Sequence, residues 1–126
     1  MKMKDEHNYR KLVAYTKARD LVIHVYALIK KFPREEQYAL CDQLRRAVVS
    51  IPSNIAEGMG RLSLKERAHF LEIAFGSLLE VNCQLDVASK LGYISDKELD
   101  EIDLECTELA RLLSGLRKSI LGDDKE

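Results

Sequence analysis

An all-α fold, an antiparallel up-down bundle of four helices with left-handed packing, follows from three features of this 126-residue chain. Apolar residues recur every three or four positions in four separate stretches, the period of one helix face. Only two prolines and six glycines stand against 33% charged residues, a balance that favours helices over strands or disorder. Start and stop signals leave only a few residues between stretches, and short joins make neighbouring helices antiparallel. The length suits a single domain over residues 1–126, and 46% hydrophobic residues suffice for a core without disulfide or metal.

The first helix is expected over about residues 11–32, with Ala14, Ala18, Leu21, Val22, Val25, Ile29 and Phe32 on its inner face. Lys30 and Lys31 suit the negative end of its dipole, and Pro33 stops it. The second, about residues 35–60, opens with Glu35 and Glu36 at its positive end and buries Leu44, Ala47, Val48, Ile51 and Ile55. Pro52 lies inside it, where the ring removes a donor and crowds the Val48 carbonyl, so a kink is expected there. Gly58 and Gly60 mark its end.

Ser63 and Glu66 stand at capping-box spacing and open the third helix, about residues 64–91. Its core face reads Leu64, Ala68, Leu71, Phe75, Leu78 and Leu85. Ile73, Val81 and Val87 widen the apolar surface, and a helix apolar on more than one side is buried on more than one side, which predicts an oligomer. Gly92 supplies the stop. Ser95 and Glu98 form a second capping box before the fourth helix, about residues 96–120. Leu99, Ile102, Cys106, Leu109, Leu113, Leu116 and Ile120 step alternately by three and four, the seam of left-handed supercoiled packing. Residues 1–8 and the polar tail from Gly122 are expected to be loose.

Chemistry-bearing patterns are sparse. Glu66 and His69 make one E-x-x-H step, but a di-metal bundle needs a second such step and two more inward carboxylates; neither His7 nor His24 has a Glu three residues before it. Ser50, Ser53 and Ser77 have no activating base at a suitable spacing, and Gly58-Met59-Gly60 lacks the pattern of a phosphate loop. Cys41, Cys83 and Cys106 are too scattered for a disulfide framework or zinc site and read as small hydrophobes. No catalytic residue, metal or cofactor is expected. No apolar run reaches the ~18 residues of a membrane span, and the charged N-terminus lacks the apolar core of a secretory signal, so a cytoplasmic location is expected.

Two polar constellations remain. Ser50, Asn54, Glu57 and Arg61 form a stripe beside the apolar seam of the second helix, with Gln84 as a partner on the third. Buried polar groups must be paired, so this stripe reads first as a network that fixes register and second as a ligand-contact edge. Residues 1–62 hold 12 basic and 7 acidic side chains, and residues 63–126 hold 8 and 14, although net charge is only −1. Lys17, Arg19, Arg45, Arg46, Arg61, Lys65 and Arg67 form the candidate nucleic-acid patch. One copy offers few phosphate contacts; a ring would multiply them.

The stretch Arg45–Arg61, RRAVVSIPSNIAEGMGR, resembles the signature of the four-helix-bundle proteins encoded in intervening sequences of 23S ribosomal RNA genes. Ala18-Arg19 with Leu21, Phe32-Pro33, Gly76-Ser77-Leu78-Leu79-Glu80, Gln84-Leu85 and Leu91-Gly92-Tyr93 extend the likeness over roughly residues 12–120. Tyr15 stands where that family often has Trp. The resemblance implies a left-handed antiparallel bundle assembled into a ring, a homopentamer, with no established activity. A related branch, the accessory proteins of diversity-generating retroelements, implies RNA or an RNA-handling protein as partner. The expected role is a non-enzymatic interaction or scaffold protein that contacts structured RNA through the basic patch. The alternative is a structural ring that binds only protein through the acidic face of the fourth helix.

Overall fold

The computed structural model describes residues 8–122, so expectations for residues 1–7 and 123–126 lie outside the described residues. A 3-10 turn at Tyr9–Lys11 leads into α1 (Val13–Ile29). A second 3-10 turn, Arg34–Glu36, precedes α2 (Leu40–Met59), followed by α3 (Leu64–Lys90) and α4 (Asp96–Leu121). Each helix packs on its sequence neighbour and α1 closes the circuit against α4, which gives an up-down four-helix bundle.

Among the described residues the core runs through all four helices: Ala18, Leu21 and Val25 meet Leu44, Val48, Ile51 and Ile55, with Leu71, Leu78, Leu85, Ile102, Leu109 and Leu113 from the other pair. These are the positions the three-four spacing selects. Two assignments on α3 change. Leu64, on the core face by its spacing, is 54% exposed at the first turn, before α3 has entered the bundle. Val81 does not widen the apolar surface on a second side; it is fully buried between Leu78 and Leu85 in the main seam. Ile73 and Val87 do face outward, together with Leu79.

The first connection departs most from expectation. Glu35 and Glu36 do not open α2; they sit in the separate 3-10 turn, and α2 begins at Leu40. The reason is tertiary. The Gln37 side-chain amide donates to the Ile29 carbonyl at the C-terminal end of α1 and to the Phe32 carbonyl just beyond it, at 3.4 and 3.3 Å. Tyr93 donates to Glu36 at 2.8 Å and packs against Phe32 with ring centroids 5.3 Å apart. Those bonds hold the segment off a helical path until residue 40.

The other boundaries follow local chemistry. Ser63 accepts from the Glu66 N–H at 3.1 Å, but the reciprocal bond from Glu66 is absent, so only half of the expected capping box forms. Ser95 and Glu98 make both bonds. At the end of α3, Gly92 takes φ +85° while Tyr93 N–H donates to Ala88 and Gly92 N–H to Ser89, a Schellman closure. α2 runs as one helix through Pro52. It ends at Met59, between the two glycines, with Gly60 as its cap; a Cβ at Gly58 would lie 2.8 Å from the Phe70 Cβ, so that glycine also permits α2 and α3 to approach.

Candidate nucleic-acid interface

The polar stripe of α2 divides into three unconnected groups. Ser50 and Ser77 hydroxyls meet at 2.8 Å across α2 and α3, and the Asn54 amide donates to the Ser50 carbonyl at 2.8 Å and its hydroxyl at 2.9 Å. Farther along, Arg61 donates to Glu57 at 2.5 Å and lies 4.6 Å over the Phe70 ring. Gln84 is not their partner. Its buried amide donates to Gln43 at 3.3 Å and Glu80 at 3.1 Å, nearer the opposite end of the bundle. Ser50–Ser77 and Gln43–Gln84 cross between α2 and α3, whereas Glu57 and Arg61 are an exposed pair four residues apart on the chain.

The seven candidate cations do not form one patch either. Arg45 does not project from the surface; its guanidinium donates to the Gln37 carbonyl and side chain at 3.2 and 2.9 Å and to Asp42 at 2.9 Å, locking the α1–α2 connection. Arg46 is exposed beside it, but Arg45 stands fourteen helical steps, about 21 Å at 1.5 Å per residue, from Met59 at the end of α2, and Arg61 lies beyond that in the turn. Lys17 faces α4 and lies 3.7 Å from Glu108, in a cleft where His24 also meets Glu105 at 2.5 Å. Arg19, Arg61, Lys65 and Arg67 remain at the end formed by the α2–α3 turn. Arg67 Nε donates to the Arg61 carbonyl at 2.7 Å, which ties the turn together.

Antiparallel topology adds cations that the linear sequence keeps apart. The start of α1 and the end of α4 share this end with the α2–α3 turn, so Arg10, Lys11, Arg111 and Lys118 join it. When each helix is divided close to its midpoint, this half, residues 8–21, 51–76 and 109–122, holds ten basic and four acidic side chains. The other half, residues 22–50 and 77–108, holds seven basic and twelve acidic. The bundle is therefore charged +6 at one end and −5 at the other among the described residues. The sequence signal was available, but only a reading that folds the chain back on itself three times recovers it.

The remaining candidates are structural or isolated. Glu66 and His69 are both exposed, and among the described residues no cluster of His, Cys, Asp and Glu could hold a metal ion. Cys41 and Cys106 are buried, and burial pushes the Cys106 thiol up to about 11; Cys83 is exposed. No helix of the described residues is long and apolar enough to cross a membrane.

The comparisons with known proteins agree with the bundle. Residues 10–115 match the family model described as 23S rRNA-intervening sequence protein. A crystal structure of a protein of unknown function from the S23 ribosomal protein family of Bacteroides thetaiotaomicron superposes with a TM-score of 0.78 at 23% identity. The superposition covers 84% of this chain and 99% of that one, and at this identity it speaks to the fold. A search of curated proteins finds no match. With the family model spanning the first helix to the last, the chain belongs to the 23S rRNA-intervening sequence proteins.

Proposed function

We propose that this protein is a non-enzymatic, homo-oligomeric interaction protein that contacts the phosphate backbone of structured RNA through the basic half of its bundle. The observation that carries the reading is the end-to-end separation of charge, with exposed Arg19 and Lys65 making no ion pair among the described residues. Phosphate contacts by Lys and Arg release counterions and supply most sequence-independent affinity. One subunit offers a small patch; an oligomer presents several at once and gains avidity. The outward face of α3 supports assembly, since Ile73, Leu79 and Val87 expose apolar surface around Gly76, which has open space above it.

Binding of purified protein to a structured RNA over a salt series tests the reading. Log affinity is expected to fall linearly with log salt, steeply enough for several phosphate contacts per complex. A salt-independent affinity would contradict it.

One observation favours a second reading, protein binding through the acidic half. Leu104 is 73% exposed on α4 among Asp100, Glu101 and Glu108, an apolar residue in an acidic surround. Capture of a basic protein partner that depends on Leu104 and survives reversal of the basic end would favour it.

A further inference from the structure

Two recesses share one aromatic wall, the first at the basic end and the second running from it to the middle of the bundle. The first, about 340 Å³, lies between the Tyr9–Lys11 turn and the α2–α3 turn, against Tyr9, Met59, Arg61, Leu62 and Arg67. The second, about 350 Å³, follows the α1–α2 groove past Tyr9, Tyr15, Arg19, Val49 and Pro52. Tyr9 borders both. An edge-to-face contact with Tyr15, ring centroids 4.9 Å apart at 71°, orients it, and the Arg10 guanidinium lies over one face of the ring, 5.6 Å from its centre, the place an incoming base would take on that side. Leu62 is 96% exposed at the tip of the α2–α3 turn and adds apolar surface to the rim of the first recess.

Each recess pairs a flat apolar surface with a cation at its margin. Arg67 uses only its Nε within the fold, and Arg19 makes no hydrogen bond or ion pair among the described residues. Such a surface discriminates between nucleic-acid forms. A duplex offers phosphates but hides the faces of its bases in the stack, whereas an unpaired nucleotide offers a base face to an aromatic ring and its phosphate to a guanidinium. The charge excess of this half selects a polyanion over a neutral apolar ligand.

We infer that the two recesses hold consecutive unpaired nucleotides of an RNA loop or single strand, with Tyr9 as the stacking platform between them. Arg67 and Arg19 take the flanking phosphates, one on each side of the ring. Met59 and Leu62 line the first recess, and Val49 and Pro52 the second. The inference rests on the RNA-contacting role of the basic half and refines it from any structured RNA to RNA with an accessible unpaired segment.

Affinities of the full-length protein for an RNA hairpin with an open loop and for a blunt duplex of equal phosphate number, at one salt concentration, test it. The hairpin is expected to bind about tenfold more tightly, the effect of one stacked base. Tyr9→Leu keeps apolar bulk but removes the π face, so it should erase this preference, read as the ratio of the two affinities; Tyr9→Phe should retain it. Melting curves for both variants verify that the bundle is intact, which is expected because the Tyr9 turn lies outside the core. Equal binding of hairpin and duplex by wild type, or a preference that survives Tyr9→Leu, would overturn the inference and leave the backbone-contact role standing. Failure of both RNAs to bind at low salt would overturn both.

Discussion

Gly58 shows how a single atom governs the contact between α2 and α3. Replacing it with alanine gains about 1 kcal/mol in helix propensity. The new methyl would lie 2.8 Å from Phe70 Cβ and 3.3 Å from the Arg67 carbonyl, both fixed near the backbone, and overpacking of this kind costs about 1–3 kcal/mol. The steric term dominates, so Gly58→Ala is expected to lower the urea midpoint; a raised midpoint would show that the helices can separate without loss. Asn54 acts through hydrogen bonds instead. Asn54→Leu removes the donor to the Ser50 carbonyl and hydroxyl, and about 1 kcal/mol of unfolding free energy should go with it. Unchanged unfolding and unchanged oligomer mass would leave the polar stripe without a structural role. Neither the Gly58 contact nor the Ser50–Ser77 pair is local in sequence. Asn54 was legible as a polar residue on a buried border, but the bond that ties its partner Ser50 to Ser77 on α3 required the helix register.

Element boundaries were legible where the signal lies within a few residues and lost where it is tertiary. Ser95 and Glu98, three apart, gave the start of α4 correctly because both partners of the capping box are local. The start of α2 was misplaced by five residues because Gln37, Tyr93 and Arg45 hold the preceding segment through bonds to distant carbonyls and side chains. The α4 cap also couples to pH. An ion pair with Lys31, then the Ser95 backbone N–H, holds the Glu98 carboxyl below its ordinary value of 4.5. The unfolded chain therefore takes up this proton first as pH falls. The contribution is complete above the unfolded value and disappears as pH drops through the lower folded one. Glu98→Gln keeps a capping side chain without the charge, so its stability should fall less than that of wild type between about pH 5 and pH 3. Parallel acid limbs for the two proteins in equilibrium unfolding would contradict this.

For the whole molecule the four-helix bundle could be read directly, since it needs only helix period, stops and short joins. The candidate site could not. Dividing the sequence into halves gave an asymmetry of +5 and −6, but each half of the sequence contributes helices to both ends of the bundle. Folding reassigns Arg45 to a structural lock, pairs Lys17 with Glu108, and brings Arg10 and Lys118 to the turn that carries Lys65. The same near-neutral chain thereby becomes a particle with a basic and an acidic end, and an oligomer that aligned its subunits would concentrate the basic ends on one surface. The decisive comparison is RNA affinity across a salt series for two double reversals of equal charge change, Arg19→Glu/Lys65→Glu at the basic end and Arg46→Glu/Lys97→Glu at the acidic end. All four residues are exposed, so both variants should fold and assemble. The basic-end variant is expected to lose affinity more than about tenfold and to flatten the salt slope by about one to two units, while the acidic-end variant keeps the wild-type slope. Equal losses at the two ends would mean that RNA responds only to net charge, and the basic end would then not be a site.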